Sequence, residues 1–187
     1  MNMNMNGNLL STVWPKSQLL HKALLVGLGV VLLAISAKVQ VPFWPVPMTL
    51  QTLVVLMISA TSGARLAGAT LLSYLAAGAI GAPVFATGAG LAYMAGPTGG
   101  YLAGFLAAAV VVGYLADKGH GRTVVSALLM LLAGVAVIYV LGLGWLANLF
   151  GAEKAIALGL MPFIPAEVLK VALGTAILTA AWKQAKR

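Results

Sequence analysis

Acidic side chains are almost missing from this chain. Three Asp and Glu stand against eleven Lys and Arg in 187 residues, and charged residues of both signs make up only 7%. A soluble domain of this size carries roughly a quarter charged residues to stay hydrated, so these few cannot coat a water-facing surface. Cysteine is absent, which excludes disulfides, thiol catalysis and cysteine metal sites. Histidine is limited to His21 and His120, both at the ends of apolar stretches, and the lone aspartate, Asp117, sits in a polar connection. No His/Asp/Glu set at membrane depth is left to hold zinc, and no Ser–His pair is left for hydrolysis. The chain contains no Gly-Lys dipeptide, so it has no Walker A loop and cannot hydrolyse ATP alone. Enzyme functions are therefore poorly supported.

What the chain does hold is apolar: 61% hydrophobic residues and a mean hydropathy of +1.03. A membrane-crossing helix needs about 20 mostly apolar residues, with about 17 as the lower limit. Six stretches meet that requirement: 19–37, 46–62, 64–80, 99–116, 123–146 and 165–183. Lipid is the expected solvent, and the expected fold is an all-α membrane protein with six transmembrane helices. Pro45 and Pro47 blur the start of the second helix. Residues 1–18 are polar, begin with an Asn/Met alternation and lack the apolar core of a removable signal peptide. They are expected to form a short disordered cytoplasmic tail ahead of one domain over 19–187.

Charge placement agrees with six spans. With the N-terminus inside, Lys16, Lys22, Arg65, Lys118, Arg122, Lys183, Lys186 and Arg187 fall on the cytoplasmic side. Only Lys38 and Lys154 fall outside, and Lys170 lies within the last span. Such a bias follows the positive-inside rule, and an odd number of spans would spoil it. Both termini are thus predicted to be cytoplasmic. The formal charge of +8 reports topology rather than a nucleic-acid partner. Lys38 reads as a snorkelling residue and Arg65 as an orientation anchor or partner contact. Gly100, Gly104 and Ala108, like Ala64, Gly68 and Leu72, recur every four residues, a spacing that lets helices approach closely in lipid. No internal repeat is evident, which disfavours an inverted-repeat carrier.

Three apolar stretches resist reading as spans. Residues 39–47 and 81–98 are rich in Gly or Pro, and 155–164 is too short to cross. All three fall on the outer side. Irregular backbone at membrane depth must be buried in protein or line a cavity, so together they are expected to cap a pocket; interfacial loops resting on headgroups are the alternative.

Glu167 and Lys170, three apart near the start of the last span, share one helix face. Ionisable groups inside a span are costly and mark a functional site by default. They would offer one acceptor and one cationic donor to a small zwitterionic, anionic or ureide-like ligand. The alternative is a first-turn Glu favoured by the helix dipole with Lys170 reaching up to headgroups. Gln51 offers amide donors and an acceptor to a ligand, or an interhelical hydrogen bond. Phe43, Trp44, Tyr93 and Tyr101 lie in or beside the outer segments, where they wall a pocket or form an interfacial aromatic belt.

The motifs carry a more specific resemblance. Val46-Pro47-Met48-Thr49-Leu50-Gln51 resembles VPxTLQ, Gly81-Ala82-Pro83-Val84-Phe85-Ala86 resembles GxPVFA, and Gly96-Pro97-Thr98-Gly99-Gly100-Tyr101 resembles GPTGGY. Pro162-Phe163-Ile164-Pro165-Ala166-Glu167-Val168-Leu169-Lys170 is similar to PFIPGDxxK. In this order they resemble the BioY family, the biotin-binding S-components of energy-coupling-factor (ECF) vitamin transporters. The resemblance implies a six-helix S-component in a prokaryotic cytoplasmic membrane, with biotin held beneath the three outer segments and no cofactor. It adds Thr87 and Tyr93 as contacts from the third-helix loop. It also implies a BioN-type transmembrane coupling subunit and BioM-type ATPase subunits, docked through small residues of the first helix best matched by Ala23 and Gly27. Whole-subunit toppling in the membrane is the implied mechanism, and a self-sufficient biotin carrier is the alternative. Where the family has Gly-Asp before the final lysine, this chain has Ala166-Glu167, one methylene longer, so the acidic contact shifts or runs through water.

Overall fold

The computed structural model describes residues 7–13 and 19–185. Its main elements are helices α1 (Leu9–Val13), α2 (Leu19–Lys38), α3 (Gln51–Ala79), α4 (Gly90–Met94), α5 (Gly99–Asp117), α6 (Val124–Phe150), α7 (Ala152–Gly159) and α8 (Ile164–Ala185). A single 3-10 turn, Met161–Phe163, leads into α8. Among the described residues, five helical runs are long and apolar enough to cross a bilayer: α2, α3, α5, α6 and Ala152–Ala185, which holds α7, the 3-10 turn and α8.

The α3 run is not one rod. Gly63 sits inside it at φ +80°, ψ 172°, a backbone region that L side chains rarely adopt. Gln51 Nε2 donates to the Tyr74 hydroxyl at 2.8 Å. Twenty-three residues along a straight helix would put those groups about 35 Å apart. The run therefore folds back at Gly63 into two antiparallel arms, 51–62 and 64–79. Thr61 and Ser62 return their hydroxyls to the carbonyls of Met57 (2.7 Å) and Ile58 (2.6 Å), four residues back in the last turn of the first arm, which keeps both polar groups satisfied inside the helix. Asp117, from the end of α5, accepts from Ala64 N at 3.0 Å and so caps the second arm at its positive end.

Asp117 has a second task. Its other oxygen accepts from Asn8 Nδ2 at 2.7 Å, while Arg122 donates to Gly7 O at 3.0 Å and lies 4.8 Å from the Trp182 ring centroid. These contacts hold α1 against the bundle, so the disordered tail expected for 1–18 fails at residues 7–13. A five-residue helix carries too short an apolar period to read in advance, and its partners are about 110 residues away. Asp117→Ala should cost about 1–3 kcal/mol by stranding Ala64 N and Asn8. A fall in melting temperature together with faster proteolysis between residues 7 and 13 would be the sign of it.

Small residues place the helices as the spacing predicts. A side chain at Gly104 would meet the Ile138 backbone at 2.9 Å, and one at Gly100 would meet Leu141 O at 2.6 Å, so α5 and α6 touch backbone to backbone. Gly113 lies equally close to Ala64. One core cluster, with Tyr74, Phe85, Tyr101, Tyr139 and Phe163, fills the loop-capped end. A second, with Leu56, Met130, Leu131, Leu178 and Trp182, fills the end where α1 docks. On α2 only Gly29, Leu33, Ser36 and Ala37 are buried; Leu24, Leu28, Val31 and Ile35 are exposed, as expected of a helix with lipid on most of its surface.

Residues 46–50 do not extend the second span. Met48–Thr49 forms β2, paired antiparallel with β1 (Gln40–Val41) in the register Gln40–Thr49 and Val41–Met48. The reason is local: Pro45 and Pro47 have no amide to donate to a helix. The fold thus adds a minimal strand pair to an otherwise helical bundle.

Candidate functional site

Helix α8 begins at Ile164 with Pro165 in its first turn, where the missing amide costs nothing. Glu167 and Lys170 follow on one face, both buried, at 6% and 9% exposure. They do not reach toward headgroups. Lys170 Nζ donates to Glu167 Oε1 at 2.7 Å and to the Thr49 carbonyl at 2.7 Å, tying α8 to the strand that precedes α3. Thr52 Oγ1 donates to the same Glu167 oxygen at 3.2 Å. Glu167 Oε2 is buried and has no hydrogen-bond partner among the described residues. An ammonium has three protons to give, and two are used. The pair therefore presents one free acceptor and one free donor, in surroundings where an unmatched charge is expensive.

Both side chains line a cavity of about 40 Å³ that is also bounded by Gln51, Thr52, Tyr93, Tyr101, Tyr139 and Phe163. Gln51 is held by Tyr74, whose hydroxyl in turn donates to Val84 O at 3.0 Å. Tyr101 donates to Gly159 O at 2.8 Å and meets Tyr139 edge-on, joining α5, α6 and α7 beneath the cap. Tyr93 stacks on Phe85 at 5.2 Å, and Phe85 packs directly over Gly78. The volume is far below the roughly 300 Å³ at which pockets for drug-sized ligands begin. Admitting such a molecule requires the Phe85–Tyr93 stack or the strand pair to move.

Of the candidate residues, Gln51, Tyr93, Tyr101, Glu167 and Lys170 converge on this cavity. Phe43, Trp44 and Thr87 do not line it. Trp44 is 72% exposed and packs edge-on against Phe150, and Phe43 tilts onto the outer side of Phe163. Thr87 is exposed, while Phe85 and Ala86 before it are buried and line the cavity. Ala23 and Gly27 lie exposed on α2, and a side chain at Gly27 would meet nothing within 4 Å.

The reading of Lys38 as a snorkelling residue is corrected. Its Nζ donates to Phe85 O at 2.6 Å and approaches Ala86 O at 3.4 Å, pinning the cap because those carbonyls lack a helix to satisfy them. Lys38→Met should release that end of the 81–98 segment. Amide exchange there should quicken by a factor matching about 1–3 kcal/mol, with the 164–185 helix unaffected.

Among the lining residues that sequence reasoning does not single out are Thr52 and Tyr139. Thr52 follows Gln51 directly, and Tyr139 is the only tyrosine in the largely apolar 124–150 stretch, which is the signal each offers.

Comparison with known proteins agrees with this architecture. A probable biotin transporter BioY of Pyrococcus horikoshii is 40% identical over 82% of this chain and 91% of its own length. The biotin transporter BioY of Thermotoga maritima is 34% identical over 81% and 89%. That of Rhizobium etli is 37% identical over 81% and 83%. A crystal structure of the S-component for biotin from an ECF-type ABC transporter superposes with a TM-score of 0.72 at 25% identity, covering 88% of this chain and 90% of that one. The model of the family described as BioY matches residues 5–187. Taken with the helical bundle and its membrane-capable runs, that match places this multi-pass membrane protein in the BioY family.

Proposed function

We propose that this chain binds biotin as the substrate-specific subunit of an ECF transporter in a prokaryotic cytoplasmic membrane. The observation that carries the reading is the buried Glu167–Lys170 pair with one acceptor and one proton left over, facing a capped cavity. Biotin's ureido ring supplies two N–H donors and a carbonyl. Glu167 Oε2 suits one N–H, and the remaining Lys170 proton suits the carbonyl or the ligand carboxylate. Gln51 has its amide engaged by Tyr74 and acts by holding that ring in place. Phe85, Tyr93, Tyr101 and Phe163 supply the apolar wall for the thioether ring and valeryl chain.

Six crossings with both termini inside complete the reading, the two arms of α3 counting separately. In its support, Arg65, Lys118, Arg122 and Lys183 lie at the end of the bundle where α1 docks, while Lys38 and Lys154 lie at the capped end. A transmembrane coupling subunit then docks on α2 around Ala23 and Gly27, and partner ATPases supply the nucleotide chemistry that this chain lacks. Labelled-biotin binding to the purified chain, with desthiobiotin and lipoate as competitors, tests the ligand. Saturable binding displaced by desthiobiotin far better than by lipoate is expected; equal competition or no binding overturns it. Uptake by cells devoid of any coupling subunit would replace the partnered transporter with a self-sufficient carrier.

A further inference from the structure

The edge of a cyclic ureide reads N–H, C=O, N–H, and the Glu167–Lys170 pair answers only part of it. Glu167 Oε2 takes one N–H and the Lys170 proton the carbonyl, which leaves the second N–H in need of an acceptor. Among the described residues, the buried side-chain polar atoms without a hydrogen-bond partner are Gln40 Oε1, Glu167 Oε2, Thr175 Oγ1, Arg122 Nε and Trp182 Nε1. Arg122 and Trp182 pack on each other at the end where α1 docks, and the Thr175 hydroxyl can donate as well as accept. Only Gln40 Oε1 and Glu167 Oε2 are pure acceptors, and both stand at the capped end. The strand pair brings them toward one another. Gln40 pairs with Thr49, and cross-strand partners project to the same face with Cβ atoms about 5 Å apart. Thr49 lines the cavity, and its carbonyl is the one that Lys170 Nζ holds at 2.7 Å. On the other side, Gln40 Nε2 donates at 3.4 Å to the carbonyl of Ala86, which also lines the cavity. That contact fixes the sense of the amide, since turning it over would set oxygen against oxygen. Gln40 thus stands just behind the lining, between two wall residues, with its free oxygen buried. It belongs to the strand pair and touches the segment that carries Phe85, the two parts whose movement admits a ligand.

We propose that Gln40 is a further ligand-binding residue, whose Oε1 accepts the second ureido N–H once the cap has opened. Glu167 Oε2, Lys170 Nζ and Gln40 Oε1 then form an acceptor–donor–acceptor row complementary to the ureide edge. This inference rests on the biotin reading above and deepens it: the site selects its ligand through both ring N–H groups.

The test sets biotin beside two lactam analogues, each with a different ring N–H replaced by CH2. The unaltered full chain should bind each analogue about tenfold more weakly than biotin, the cost of one buried hydrogen-bond partner left unmet. Binding of either analogue as tightly as biotin overturns the proposal without any variant. Gln40→Met keeps the length of the side chain and drops its amide. It should bind biotin about tenfold more weakly than the unaltered chain does. It should bind one analogue as well as the unaltered chain does, which also shows that the variant is folded, and keep the full penalty for the other. Such a split assigns Gln40 to a single ring nitrogen. If Gln40 only props the cap through Ala86, biotin and both analogues weaken by the same factor and the proposal is overturned. Unchanged binding of all three overturns it as well. A failure of the biotin reading looks different: the unaltered chain then binds neither biotin nor either analogue, and this inference falls with it.

Discussion

Lys170→Ala is expected to weaken biotin binding by about 2–5 kcal/mol, roughly thirtyfold to several thousandfold at about 1.4 kcal/mol per decade. Removing the ammonium leaves Glu167 in a buried site with Thr52 as its one remaining donor, and takes away the donor that satisfies Thr49 O. The ligand also loses the proton that meets its carbonyl or carboxylate. Part of the loss could come from disturbing the β2–α3 junction, so two companions separate the causes. Lys170→Met keeps the stem, and Glu167→Gln/Lys170→Met removes both charges together. If the pair serves packing alone, the double variant should recover both melting temperature and affinity, because a buried pair replaced as a unit is often neutral. If the pair recognises the ligand, melting temperature recovers and affinity does not. Near-unchanged affinity in Lys170→Ala would leave the residue with a purely structural role.

The two residues behind that prediction were readable from the sequence because an ion pair in a span has few explanations, and its cost singles it out without any partner in view. The membrane-capable runs were readable for a similar reason, since each apolar stretch is its own signal. The partners were not readable. Nothing in the chain's order announces that Lys170 reaches Thr49, 121 residues earlier, or that Lys38 holds Phe85 rather than headgroups. Aromatic residues in the outer segments divided between cavity and surface for the same reason. Tyr93 and Trp44 look alike in sequence, and only the path of the loop after Gly88, where the Tyr93 ring packs, sends one inward while the other stays exposed. The fold-back of α3 lies between these cases. The stretches 46–62 and 64–80 were legible as two separate spans meeting at Gly63, but the contacts that hold the arms, Asp117 on Ala64 N and Gln51 on Tyr74, are tertiary.

That fold-back is where a single substitution should do the most structural damage. Gly63→Val places a β-branched residue at φ +80°, a backbone strain of about 1–3 kcal/mol. It also drives the new side chain into the Asp117 carboxylate and Asn8, where overpacking costs about another 1–3 kcal/mol. Together these take a large share of a typical folding free energy of about 5–15 kcal/mol. The relief open to the chain is to straighten 51–79 into one helix of about 43 Å. Straightening would part Gln51 from Tyr74 and carry Gln51 and Thr52 away from the rest of the cavity lining, so biotin binding should vanish with the turn. Because the chain has no cysteine, spin labels at Val41→Cys and Ile80→Cys report the change cleanly. Both positions sit at the capped end of the hairpin, so the distance should be short in the parent and longer and broader in Gly63→Val. Gly63→Ala, with the same φ but less bulk, should fall between. A parent-like distance and melting temperature in Gly63→Val would mean that the turn is set by the arms' packing, with the glycine merely permitted there.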